Sequence, residues 1–363
     1  MKDMTSRLPL PVTVLALGWV ILGNILTNII PVLSDICIVV SIILLIMTVI
    51  KIVLNLKEFY RSIKSPAGLS MFSSFSMSLM LIAVWMKGVL DKANIYIWIV
   101  GVVLQTIIMI VFTIKYVLNF KLKYVFSSWF LVYSGIGIAS ITCNDFGMIV
   151  FGRSVLKFTI IVSAILVPFV LARMKIKGST QAARPIFSLI AVPLGIIIPA
   201  VVVISEPFSA KTMWIMYILI QILMLIIVID MLIRLFHGFY PSWSCYAVAM
   251  TFSVYGSKFF NTYLISNRMQ NYIVESLLYF ECVLAFLVCA IVLLAYFINT
   301  LEDPEIHKKK VHEKVLVEKA AREKRRARYK SRKKEENSGK NTVRELDDTS
   351  TLFENDDISD LLD

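Results

Sequence analysis

Ten runs of apolar residues, each about long enough to cross a bilayer, follow one another through the first 300 residues, and every second run is studded with Gly, Ser and Pro. In lipid the backbone must satisfy its own hydrogen bonds, so continuous runs of this length are read as helices. They occupy 9–30, 35–56, 68–86, 94–117, 124–143, 154–172, 186–205, 212–236, 242–265 and 271–300. Hydrophobic residues make up 58% of the 363, well above the share of an ordinary globular chain. The expected fold class is an all-α membrane protein with ten transmembrane helices. The first run lacks a small-residue cleavage site and leads straight into the second, so it reads as a retained helix and not as a signal peptide.

The odd runs differ in chemistry from the even ones. Gly plus Ser number 22 in the odd runs and 5 in the even runs. Small residues allow helices to approach closely, and hydroxyls can face water. The simplest geometry is an inner ring of odd helices inside an outer ring of even ones. Close packing alone would also call for small residues. Against that, the third run spreads Ser70, Ser73, Ser74, Ser76 and Ser78 round a wide arc, and Pro193 and Pro199 are expected to break the seventh, freeing carbonyls that need neighbours or a water-filled cavity. A central polar path follows, with Gly23, Asn24, Ser73, Ser76, Ser134, Ser188, Pro193 and Ser253 as candidate lining residues.

Lys and Arg are denser in one set of loops, at Lys51, Lys57, Arg61, Lys64, Lys115, Lys121, Lys123, Arg173, Lys175, Lys177, Arg184 and Arg234. The positive-inside bias therefore places both termini in the cytoplasm, and the short connections on the other side join the runs into five helical hairpins. The five cysteines lie scattered in apolar runs with no CxxC pair, as buried filler would. None of the three histidines lies inside a run, which removes most membrane-embedded chemistry that needs an imidazole base or ligand. No nucleophile, base and orienting group converge, so no enzyme, cofactor or metal is expected.

Several separated blocks resemble the tellurite-resistance/dicarboxylate transporter family, which includes TehA-like proteins and the slow-type anion channels of plant guard cells. They are GWVILGN from Gly18, SPAGLSMFSSFSMSL from Ser65, SSWFLVYSGIGIAS from Ser127, RPIFSLIAVPLGI from Arg184 and YPSWSCYAVAMTFSVYGSK from Tyr240. The chain looks most like the shorter members found in Gram-positive bacteria, with a plasma-membrane location. The resemblance implies five hairpins round a central pore, a homotrimer with one pore per subunit, and transport of small anions, dicarboxylates or oxyanions. It also implies an aromatic plug in the ninth helix. Aligned from Pro241 without a gap, Val248 stands where that plug is expected. Either Phe252, four residues on and one turn deeper on the same face, takes the role, or Val248 leaves an aliphatic constriction. The missing Pro at Ala249 is expected to leave this helix straighter.

Charged side chains inside runs are costly and mark functional candidates. Lys258 in the ninth run is one, either as an attractor of anions or with its stem snorkelling to the interface. Asp230 in the eighth run and Glu275 and Glu281 in the tenth are others, and a Lys258–Glu275 pair is conceivable. Beyond the membrane domain at 1–300, residues 301–336 form a basic segment expected to be helical and to lie on anionic lipid headgroups; specific nucleic-acid binding is not expected. The acidic tail at 337–363 reads as disordered. Three functions remain: an anion channel or passive carrier, a proton-coupled transporter of four-carbon dicarboxylates or tellurite, and a scaffold or receptor acting through the tail.

Overall fold

The computed structural model describes residues 9–88, 93–175, 181–235 and 239–301. The segments expected at 301–336 and 337–363 lie outside the described residues, apart from Leu301 at the end of the last helix. Among the described residues every regular element is helical. Seven helices are long and apolar enough to cross a membrane, which is compatible with a membrane location.

The ten apolar segments appear in order, several with shifted ends. The first is the helix Val12–Leu26, shorter than its run, and the second is Pro31–Leu54, opened by a proline in its first turn. Pro66–Trp85 forms the third, capped by Ser65, whose Oγ accepts from the Gly68 N–H at 3.0 Å. Asn94–Phe112 is the fourth and runs into one wider turn over Thr113–Val117. The sixth, eighth, ninth and tenth are Ile149–Lys175, Ala210–Arg234, Ser244–Ser266 and Tyr272–Leu301. The ninth is one continuous α-helix, with Ala249 inside it.

Two odd segments depart from single helices. The fifth is split into Trp129–Tyr133 and Ile138–Thr142, joined by a tighter turn at Gly135–Gly137. In the seventh, the tighter coil Arg184–Ala191 gives way to the α-helix Val192–Ile204. The expected break at Pro193 is therefore displaced. Pro193 sits in the first turn of the α-helix, where its missing N–H has no intrahelical acceptor to lose, and the change of coil falls just before it. Pro199 lies inside the same helix without ending it.

Burial divides the segments as composition does. In the third and seventh, 78% and 72% of the most apolar stretch is buried, against 28% to 39% in the second, fourth, sixth, eighth and tenth. The first and ninth are buried along nearly their whole length. The even segments carry bare aliphatic faces such as Ile43, Ile107, Ile161, Leu225 and Ile291, tolerable in lipid but not in water. The first segment packs on the third, the third on the fifth, the fifth on the seventh, the seventh on the ninth, and the ninth returns to the first. Each even segment packs on the odd one of its own hairpin.

Glycines set these contacts. A Cβ on Gly18 would meet Val248 Cγ2 of the ninth segment at 3.4 Å, and one on Gly195 would meet the Phe252 carbonyl oxygen at 2.5 Å. All five cysteines are buried and free.

Candidate functional site

The residues singled out in the sequence do not gather in one place. Gly23 faces the second segment, where a Cβ would lie 2.3 Å from Ile38 Cγ1, and its carbonyl accepts from Ser34 Oγ at 2.8 Å. Asn24 turns its Nδ2 back to the Val20 carbonyl at 2.8 Å. Ser76 donates to Gln105 of the fourth segment, and Ser134 shares a 2.9 Å hydrogen bond with Ser163 of the sixth. Ser188 and Ser253 bond to carbonyls of their own segments, Pro185 at 2.7 Å and Ala249 at 3.0 Å. Ser73 is different. Among the described residues its buried hydroxyl has no hydrogen-bond partner, as is true of Ser127 and Ser140 in the fifth segment. Orphaned hydroxyls on two neighbouring odd segments mark polar ground inside an apolar bundle.

Val248 and Phe252, one turn apart on the ninth helix, are both fully buried. Val248 packs against Gly18 of the first segment, and the Phe252 backbone lies against Gly195 of the seventh.

Lys258 completes a backbone account at the end of the first helix. The last carbonyls of any α-helix lack intrahelical donors. Here Gly23 O is taken by Thr27 and Ser34, and Leu26 O by the N–H groups of Ile29 and Ile30. Asn24 O and Ile25 O are left, and Lys258 Nζ donates to them at 2.8 and 3.0 Å. Its ammonium thus meets the negative end of a helix dipole and not Glu275. Glu275 sits half-buried in the first turn of the tenth helix, where its charge favours the dipole. We expect Lys258→Met to cost about 1–2 kcal/mol, checked by denaturant unfolding in detergent.

Asp230 is already engaged. Arg234, one turn on, grips both its oxygens at 2.9 and 2.7 Å, and Tyr246 of the ninth segment donates to Asp230 Oδ2. The remaining arm of Arg234 donates to Gln181 Oε1 at 2.9 Å. This network ties the eighth and ninth segments and the entry to the seventh. In the sequence Asp230 stands out as a costly charge and Arg234 counts only among the loop cations, although their spacing places both on one face.

Glu281 has no ion pair among the described residues. It is 3% exposed, and among the described residues neither carboxylate oxygen makes a regular hydrogen bond. The Ser257 hydroxyl and the Gln221 amide, bonded to each other at 2.8 Å, are hydrogen-bonding neighbours of the carboxyl, although neither makes a regular hydrogen bond to it. Sequence reading missed Gln221 and Gln105, whose signal was an amide standing alone in an aliphatic helix. Among the described residues no group of His, Cys, Asp and Glu is arranged to hold a metal ion. Comparison of the chain with models of known protein families and with curated proteins finds no match.

Proposed function

We propose that the chain is an anion channel or passive carrier in a plasma membrane, moving small anions, dicarboxylates or oxyanions through one central path per subunit. The observation that carries this reading is the cycle of contacts among the buried odd segments, together richer in Gly and Ser than the even ones, with the lipid-tolerant even segments outside. A diffuse lining of hydroxyls and backbone dipoles suits ions that must bind weakly to move on. The blocks that resemble tellurite-resistance/dicarboxylate transporters fall on those same odd segments, and by that resemblance the assembly is a homotrimer. On this reading Val248 and Phe252 would close the path at their level, which their complete burial supports.

The test is anion flux from liposomes. Wild-type protein should show low flux, and Phe252→Ala should raise it about tenfold, equivalent to ~1.4 kcal/mol of barrier. Absence of flux in wild type, Phe252→Ala and Val248→Ala at every voltage rejects the reading. A second reading, proton-coupled transport of four-carbon dicarboxylates or tellurite, is favoured by the buried carboxyl of Glu281, which has no ion pair among the described residues. It requires flux that follows a proton gradient and is lost in Glu281→Gln. A scaffold acting through the tail would instead lose its function on deletion of the residues after Pro304, a change that transport should survive.

A further inference from the structure

Three helices bring polar groups to one depth. Glu281 lies nine residues inside the start of the tenth helix, so ~14 Å from its end. Tyr217 and Gln221 share a face of the eighth helix, seven and eleven residues from its start, and Ser257 is nine residues from the end of the ninth. All of these helix ends are at the same side of the bundle, so the groups meet near the middle of a hydrocarbon layer ~30 Å thick. We infer that Glu281, Tyr217, Gln221 and Ser257 form an exchangeable site for one monovalent cation, a proton or a sodium ion, in the wall between the eighth, ninth and tenth segments.

Three observations carry this. Both Glu281 oxygens are shut off from solvent and, among the described residues, make no regular hydrogen bond, with the neutral Ser257 hydroxyl and Gln221 amide beside them, a costly state for a carboxylate ion in hydrocarbon. The Tyr217 hydroxyl, on a residue only 5% exposed, is also unpartnered and lies within electrostatic range of Glu281. Its ring is held by stacking on Phe260 at 4.3 Å and 12°, so it has little freedom to turn away. Finally, among the described residues no cation pairs with the carboxylate. Lys258 follows Ser257 in sequence but spends its ammonium on the first helix. The other titratable neighbours are Tyr217 on the eighth segment and Cys282 on the tenth, neither of which carries positive charge.

Hard oxygens suit H⁺ or Na⁺, and a single positive charge leaves the site neutral. A divalent ion would leave an excess charge in the hydrocarbon. The site stands apart from the proposed anion path; only a role as coupling ion rests on that reading.

The probe is dicyclohexylcarbodiimide, which modifies protonated carboxyls in apolar surroundings, with labelling of Glu281 in the full-length protein read by peptide mass spectrometry. A proton site predicts labelling that falls about tenfold across two pH units and ignores sodium. A sodium site predicts about tenfold protection at fixed pH when NaCl replaces choline chloride at ten times the dissociation constant. Glu281→Gln should abolish labelling and any rise in melting temperature caused by sodium, while retaining the fold. Labelling of Glu281 that ignores both pH and sodium, or its complete absence under all conditions, overturns the site, whether or not anion flux is observed. Responsive labelling without anion flux upholds the site and rejects the transport reading.

Discussion

Gly195→Ala is expected to destabilise the protein by about 3 kcal/mol, the upper end of the usual overpacking penalty. The added methyl would lie 2.5 Å from the Phe252 carbonyl oxygen, 2.6 Å from its Cβ and 2.8 Å from its carbonyl carbon. Two of these atoms are main chain in a fully buried helix, so no rotamer change relieves the clash. The seventh and ninth segments must move apart. Ala is the better helix former by up to ~1 kcal/mol, and the overpacking has to exceed that gain. Gly256, across the same contact, provides a graded comparison: its Cβ would meet Ile220 Cδ1 at 2.8 Å, the tip of a flexible side chain, so Gly256→Ala should cost less. Gly18→Ala meets only ordinary contacts at 3.4 Å or more and should fall within about 0.5 kcal/mol of wild type. The three variants are compared by denaturant unfolding in one detergent. An unperturbed Gly195→Ala would mean that the two helices are not in contact as described.

The same glycines show what was legible in the sequence. The excess of small residues in every second segment anticipated which segments are buried, because a helix surrounded by other helices needs small residues at close crossings, whereas a helix against lipid does not. Their individual roles were less legible. Gly23 was read as lining a path, but its face is filled by Ile38, a partner fixed by how the first hairpin packs and invisible from composition. The fifth segment shows the opposite difficulty. Its run of apolar residues predicts one helix, yet the chain changes coil around Gly135 and Gly137. Such a break is stable only when another segment supplies donors, and that donor is Gln105, in a helix otherwise read as plain hydrocarbon. Lys258, Asp230 and Glu281 were all legible as costly charges; which of them were already neutralised depended on tertiary neighbours. Lys258 is met by two carbonyls and Asp230 by Arg234, whereas Glu281 has no ion pair and no regular hydrogen bond among the described residues.

Gln105 should therefore tolerate change poorly. Its Nε2 donates to Leu131 O at 2.9 Å and to Val132 O at 2.7 Å, two carbonyls at the end of the first half of the broken fifth segment, and its Oε1 accepts from Ser76. The residue is fully buried, so water cannot replace it without entering the bundle. Gln105→Leu keeps the volume and helix propensity close to wild type but strands the amide's partners, at about 1–3 kcal/mol for each unsatisfied buried group. Single hydrogen bonds between membrane helices average only ~0.6 kcal/mol, since the unfolded chain in a membrane also finds partners. Two carbonyls freed by one break have fewer alternatives, so a loss of about 2–4 kcal/mol is expected. Gln105→Glu separates geometry from chemistry. A carboxyl buried here is neutral and offers one O–H donor for two carbonyls, so Glu should be less stable than wild type and less damaging than Leu despite its matching shape. Hydrogen exchange should show the damage first in the amides of Trp129–Tyr133 and Ile138–Thr142, because the break loses its support before the continuous helices do. Equal stability of all three proteins would mean that the break supports itself, and Gln105 would then be a passenger in the fourth segment.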